Sequence, residues 1–139
     1  MPNFSRTVTV SSDIDSSFVF LSDFRNLEKW AEGDEGELIT KEPLRQGSVF
    51  KVKTHFNNKP REYDYEIVEW GPPLRVSLQA STSIFTIVDT IFLSANSKGT
   101  EVTYSVDIKY KFPFFIASEI LLSSGPELPM QVVHPYPTK

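Results

Sequence analysis

The chain has 139 residues and a formal net charge of −4 at pH 7, and 40% of its residues are hydrophobic. This length fits one domain that buries about two-thirds of the surface of its unfolded chain. The acidic balance argues against nucleic-acid binding, which needs clustered Lys and Arg. Cysteine is absent, which excludes disulfides, thiolate metal sites and Cys nucleophiles.

The aromatic content of 13%, with 11 Phe, indicates a globular protein with many large core or cavity side chains. No segment approaches the about 20 apolar residues of a membrane span. The first ten residues lack the apolar core of a signal peptide. We therefore expect a cytoplasmic protein.

The first thirty residues predict one strand followed by two helices. Apolar and polar residues alternate from Phe4 to Val10, as in a half-buried strand. Ser12 or Asp13 is suited to N-cap a helix whose apolar positions are 18–21. A second, short helix is expected over Leu27 to Trp30.

After an acidic stretch at 32–37 the pattern has period two as far as Tyr110, which predicts a run of strands. One strand, two helices and then many strands suit an α+β fold, in which helices cover one face of an antiparallel sheet.

The first long hairpin is predicted to turn at Asn57–Pro60. A four-residue loop there sets Phe56 opposite Arg61. It also pairs charges on the outer face, such as Lys53 with Asp64 and Lys51 with Glu66. The inner face then carries Phe50, Val52, Thr54, Tyr63, Tyr65 and Ile67.

The second hairpin is predicted to turn through a three-residue loop at Ser81–Ser83. This register sets Arg75 opposite Asp89 on the outer face, where the carboxylate has a charge partner that it would lack inside. A five-residue loop at Ala95–Gly99 then leads into the last strand. The inner face would carry Val76, Leu78, Thr86, Val88, Thr90, Phe92, Val102 and Tyr104, and the outer face an apolar stripe of Phe85, Ile87, Ile91 and Leu93.

The segment 112–122 is apolar nearly all round, which predicts a helix buried on most sides. A Ser-Ser-Gly-Pro sequence at 123–126 ends it. We therefore expect a domain at 1–124 and a Pro-rich, flexible tail at 125–139.

Five sequence motifs point to a family. They are Asp23-Phe24-Arg25-Asn26-Leu27-Glu28-Lys29-Trp30, Gly47-Ser48-Val49-Phe50, Val68-Glu69-Trp70-Gly71-Pro72-Pro73-Leu74-Arg75-Val76, Asp89-Thr90-Ile91-Phe92 and Gly99-Thr100-Glu101-Val102-Thr103-Tyr104. Together they resemble the polyketide cyclase/dehydrase-like branch of the START/Bet v 1 (SRPBCC, helix-grip) superfamily, over about Phe4 to Leu122. The resemblance implies a curved antiparallel sheet, two short helices and a C-terminal helix, here shortened, around an apolar cavity.

The predicted cavity would bind a ligand through apolar walls and hydroxyl groups. No catalytic residue, metal ligand or cofactor is predicted, because both His55 and His134 are expected at the surface. Arg6 and Glu119 are the charged groups that could face the interior. The expected ligand-binding residues are Trp30, Phe50, Val52, Thr54, Tyr63, Tyr65, Val76, Leu78, Thr90, Phe92, Tyr104, Phe115 and Glu119.

Three functions are compatible with these residues. The favoured one is binding of a hydrophobic small molecule, lipid-like or polycyclic, between the sheet and the C-terminal helix. The first alternative is a polyketide cyclase/aromatase or dehydratase, which would need an ionisable group in the cavity. The second is a non-catalytic homodimeric module that associates through the apolar stripe. A purely structural interpretation also stands, in which the inner hydroxyls and rings complete a filled core.

Overall fold

A computed structural model describes residues 3–56 and 58–112 of the chain. Within these residues the secondary-structure elements, in chain order, are β1 (Asn3–Val10), α1 (Ile14–Ser22), a 3-10 turn (Phe24–Asn26), α2 (Leu27–Trp30), β2 (Glu35–Leu38), β3 (Val49–Phe56), β4 (Lys59–Gly71), β5 (Arg75–Ser81), β6 (Phe85–Asn96) and β7 (Gly99–Tyr110). The predicted strand–helix–helix–strands order is therefore confirmed.

The seven described strands form one antiparallel sheet in the order β1-β7-β6-β5-β4-β3-β2. Consecutive strands from β2 to β7 are neighbours, and β1 closes onto β7. The helical segment between β1 and β2 packs on one face, which we call the inner face, through contacts of α1 with β6 and β7 and of the 3-10 turn with β2 and β3.

Both predicted helices form where their end signals place them. The Asp13 side chain caps α1 by accepting a hydrogen bond of 2.7 Å from the Ser16 backbone N–H. The buried side of α1 carries Phe18 and Leu21, and α2 buries Trp30. These apolar side chains anchor the helices to the sheet.

The β3–β4 hairpin has the predicted faces but a different register. Phe56 lies opposite Lys59 rather than Arg61, so every pair is shifted by two residues. Because side chains alternate with period two, this shift preserves which face each residue occupies. The outer charge pairing also survives in altered form, with the Lys51 ammonium 3.8 Å from Asp64 and 3.9 Å from Glu62.

The predicted register of the β5–β6 hairpin is wrong by three residues, and because this number is odd the shift reverses the faces of β6. Arg75 lies opposite Phe92, and Leu78 lies opposite Asp89. The turn lies further along the chain than expected, with Ser81 opposite Thr86, and the Thr82 hydroxyl stabilises it by accepting hydrogen bonds from the backbone N–H groups of both Ile84 and Phe85. Asp89 consequently points inward.

The apolar stripe of β6 is part of the core rather than an outer surface. Phe85, Ile87, Ile91 and Leu93 are all at most 6% exposed. Burying four such side chains stabilises the fold by about 1.5–3 kcal/mol each, which outweighs the cost of turning one protonatable carboxyl inward. The exposed dimer stripe expected from the sequence is therefore wrong.

The same reversal corrects two predicted cavity residues. Thr90 hydrogen-bonds the Ser77 hydroxyl at 3.0 Å on the outer face. The Phe92 ring is 39% exposed and lies 4.6 Å beneath the Arg75 guanidinium, which also pairs with Glu69 at 2.8 Å. Neither Thr90 nor Phe92 faces the interior. Thr86 and Val88, also expected inside, lie on this outer face with them.

A β-bulge in β4 redirects one large aromatic residue towards the helices. The pairing with β5 shifts between Ile67 and Glu69, so that Trp70 and not Glu69 shares the inner side with Ile67. The Trp70 ring meets Phe18 of α1 edge-on, with centroids 5.2 Å apart. The bulge therefore joins the far end of β4 to the helical layer.

Several predictions lie outside the described residues. They concern the C-terminal helix with Phe115 and Glu119, the end of the domain at 124 and the tail at 125–139. Among the helices that the structure describes, none is long and apolar enough to cross a membrane.

Candidate functional site

A cavity of about 60 Å³ lies between the inner face of the sheet and the helical segment. It is bounded by β3, β4, β6 and β7 on one side and by the 3-10 turn and α2 on the other. Its described lining residues are Phe24, Leu27, Asp34, Val52, Thr54, His55, Tyr63, Tyr65, Ile87, Asp89, Tyr104, Val106 and Ile108.

Asp89 places a carboxyl group in the wall of this cavity. Its side chain is 3% exposed, and Oδ2 accepts a hydrogen bond from the Tyr104 hydroxyl on the neighbouring strand. No donor among residues 3–56 and 58–112 reaches Oδ1. Burial raises the pKa of Asp89 to about 7; the Tyr104 hydrogen bond opposes this rise, and the nearby Asp34 adds to it.

Asp34 brings a second carboxyl group to the same cavity. It lies just before β2, is 7% exposed, and its Oδ1 accepts a hydrogen bond of 2.7 Å from the Thr54 hydroxyl. Burial raises the pKa of Asp34 to about 6, while the Thr54 hydrogen bond and the charge of His55 lower it. The two carboxyl groups thus interact across the cavity.

The two buried tyrosines remain neutral over the physiological range. Burial raises the pKa of Tyr65 and of Tyr104 well above 10, and the negative charges of Asp89 and Asp34 raise both further. Burial also raises the pKa of Tyr63, which is only half-buried at the edge of the cavity. Their hydroxyls therefore act as hydrogen-bonding groups rather than as bases.

Aromatic rings fill the space around the cavity. Phe24 contacts Tyr65 at 5.8 Å and Phe50 at 5.7 Å between centroids, and Trp30 packs edge-on against Tyr104 at 5.5 Å. These contacts fix the two tyrosines from the helical side.

Comparison with known proteins identifies the architecture. No family model matches the chain, and no curated protein matches it in sequence. A START superfamily protein from Mycobacterium smegmatis has a similar structure, with 13% identity and a TM-score of 0.66 over 86% of this chain and 88% of that one. The chain has the helix-grip fold of START and Bet v 1 proteins.

Two further helix-grip structures show how widely the architecture is used. Ginseng major latex-like protein 151 from Panax ginseng has 17% identity and a TM-score of 0.62, over 88% of this chain and 90% of that one. The di-domain ARO/CYC protein BexL, from the BE-7585A biosynthetic pathway, has 14% identity and a TM-score of 0.64. In that case the match covers 88% of this chain and 40% of BexL. At such identities the likeness establishes the fold and leaves the function open.

The structure brings five of the predicted binding residues together in the helix-grip cavity, namely Val52, Thr54, Tyr63, Tyr65 and Tyr104. Four others are buried in the core without lining it: Trp30, Phe50, Val76 and Leu78. Trp30 and Phe50 form a second layer behind the lining rings.

Sequence analysis missed the two carboxyl groups and His55. The signal for Asp89 was its position in β6. It lies at the centre of the alternating series 85, 87, 89, 91 and 93, so it must share a face with the four apolar residues of that series. Asp34 carried no comparable signal, because it lies in a short Gly-bearing loop. His55 is exposed, as expected, but its strand position also places it at the edge of the cavity.

The site is acidic, and its described lining carries no lysine or arginine. Arg6, whose Cα lies opposite Tyr104, is exposed and does not reach the cavity. In the described part of the chain, no three His, Asp or Glu residues cluster as a metal site would require. The helix-grip cavity therefore offers apolar walls, neutral tyrosines and two carboxyl groups.

Proposed function

We propose that this protein binds a hydrophobic small molecule in the helix-grip cavity and orients it through the Asp89–Tyr104 pair. The observation that carries the proposal is the Oδ1 atom of Asp89, a buried acceptor in the cavity wall that has no partner within 3–56 and 58–112. A buried polar atom without a partner is costly, and a ligand donor would remove that cost. Apolar walls with a few fixed polar groups are typical of small-molecule sites.

The size of the cavity restricts how the ligand fits. The cavity has a volume of about 60 Å³. An engineered apolar cavity that binds benzene is more than twice as large, at about 150 Å³. A larger molecule would need a lining side chain to move, or would extend past Thr54 and His55 into the neighbouring open pocket of about 480 Å³ that these two residues also line. Tyr63 and His55 are the lining residues best able to move, because they are only partly buried or exposed.

A melting-temperature screen with fatty acids, flavonoids, quinones and polycyclic ketones tests this function. A ligand at a hundredfold its dissociation constant stabilises the folded state by about 2.7 kcal/mol. Val106→Phe fills the cavity and should abolish the shift, whereas Val88→Phe on the outer face should preserve it. If no compound shifts the melt of the wild-type protein, the binding function is refuted and a structural role replaces it.

An acid–base enzyme of the cyclase, aromatase or dehydratase kind is the second candidate. It is favoured by one observation that the sequence did not predict, a cavity carboxyl with its pKa raised to about 7. A group with such a pKa can both give and take a proton near neutral pH. Catalysis would be established if the protein converts a ligand found in the screen and Asp89→Asn still binds that ligand but no longer converts it. A ligand that remains unchanged after prolonged incubation would exclude catalysis for that compound.

A further inference from the structure

The polar groups of the cavity are predominantly hydrogen-bond acceptors. Asp89 and Asp34 each have two carboxylate oxygens, and the structure supplies one side-chain hydroxyl to each residue, from Tyr104 and Thr54 respectively. A carboxylate has about four lone-pair sites, so most of this accepting capacity is unused. No lysine or arginine in the described lining offsets the two acids.

We propose that the ligand of this cavity is a protonated amine, whose ammonium group binds the Oδ1 atom of Asp89. This inference rests on the hydrophobic-ligand function proposed above and specifies its chemical class. An ammonium group supplies up to three N–H donors and the positive charge that the paired acids lack. A carboxylate ligand would instead be repelled.

The walls of the cavity suit the rest of such a molecule. The rings of Tyr65, Tyr104 and Phe24 surround the acids, and aromatic faces attract a desolvated ammonium group. Ile87, Val106 and Ile108 supply apolar surface for the hydrocarbon part. A neutral alcohol could satisfy Oδ1, but it would leave the charge of the acids uncompensated.

Binding of an amine should depend on the ionisation of Asp89. The titratable groups that face it are Tyr104 on β7, Tyr65 and Tyr63 on β4, His55 on β3 and Asp34 before β2. With a pKa of about 7, Asp89 is about one-tenth ionised at pH 6 and about nine-tenths ionised at pH 8. The affinity for an amine should therefore rise about tenfold between these pH values.

The test uses matched pairs of probes that differ only in the head group: benzylamine and benzyl alcohol, cyclohexylamine and cyclohexanol, and hexylamine and hexanol. Titration calorimetry of the full chain at pH 6 and pH 8 gives twelve affinities, one for each of the six probes at each pH. We expect at least one amine to bind at least tenfold more tightly than its alcohol at pH 8, and this preference to shrink about tenfold at pH 6. Asp89→Asn should abolish the preference for the amine, and Asp34→Asn should reduce it. Asp107→Asn, which replaces an exposed carboxylate on β7, is the matched control and should behave as wild type.

The outcomes separate the two proposals. If alcohols bind as tightly as their amines at pH 8, the amine inference is wrong while hydrophobic binding stands. An amine preference that persists in Asp89→Asn, a variant of nearly the same shape, would place the ammonium group elsewhere and also overturn the inference. If none of the six probes binds and the screen above finds no ligand, both proposals fail together.

Discussion

Replacing Asp89 by asparagine should change how the stability of the protein depends on pH. The folded-state pKa of about 7 lies above the ordinary value of 3.8, so the folded protein holds the Asp89 proton more tightly than the unfolded chain. Stability is therefore highest when the carboxyl is protonated and falls as the pH rises towards 7. This direction is opposite to that of a carboxylate stabilised by an ion pair.

The expected magnitude follows from the size of the pKa shift. Between pH 5 and about pH 7 the unfolded chain has lost the Asp89 proton and the folded protein retains it. In this range the free energy of unfolding falls by about 1.36 kcal/mol for each pH unit. The free energy of unfolding should thus fall by about 2.5 kcal/mol from pH 5 to pH 8 through Asp89 alone. Asp34, whose pKa is raised to about 6, adds a smaller change of the same sign.

Urea denaturation at pH 5, 6, 7 and 8 measures this effect. An asparagine side chain cannot ionise and keeps the shape of aspartate, so Asp89→Asn should lose most of the pH dependence and exceed the wild type in stability at pH 8. Asp107→Asn should retain the wild-type curve. A wild-type protein that is equally stable at pH 5 and pH 8, or an Asp89→Asn variant with an unchanged slope, would refute the buried, partly charged state described for Asp89.

Three further predictions test the packing of the fold. Ile87→Lys should prevent folding rather than alter association, because it buries an ammonium group in the core. Circular dichroism and sedimentation separate these outcomes, and a folded monomer would contradict the inward face assigned to Ile87. Phe18→Ala should lower the free energy of unfolding by about 3–5 kcal/mol, since it removes the ring that packs on Trp70; a loss below about 1 kcal/mol in urea denaturation would contradict that contact. Gly99→Ala should destabilise the protein more than Gly47→Ala. Both glycines have positive φ, but of the two only Gly99 would bring a Cβ into collision with backbone, namely the Val10 carbonyl. Equal shifts in melting temperature would contradict this close approach.

Much of the fold could be predicted because local signals and global packing agree. The Asp13 cap and the short α2 helix follow from residue types at fixed positions. The β3–β4 faces were correct although the register slipped, since a shift of two residues leaves each side chain on its original face. The cavity residues of these two strands, such as Tyr65, were therefore placed correctly.

The error at β6 arose from weighing one charge above four apolar side chains. A carboxyl can enter the interior by keeping its proton and accepting a hydrogen bond, here from Tyr104, whereas Ile87 and Ile91 have no such compensation outside. Asp34 was missed for another reason. Its role depends on Thr54, 20 residues away in sequence, and only the folded chain brings the two together.

The inward position of Asp89 also affects the chain before it folds. From Phe85 to Leu93, β6 is rich in β-branched and aromatic residues, and Asp89 is the single charge in this run. Such segments readily pair with copies of themselves, and an embedded charge opposes that pairing. In the unfolded chain Asp89 is solvated and ionised at neutral pH, so newly made strands repel one another until β5 and β7 cover them. We therefore expect the residue that costs stability in the native state to oppose aggregation of the nascent chain.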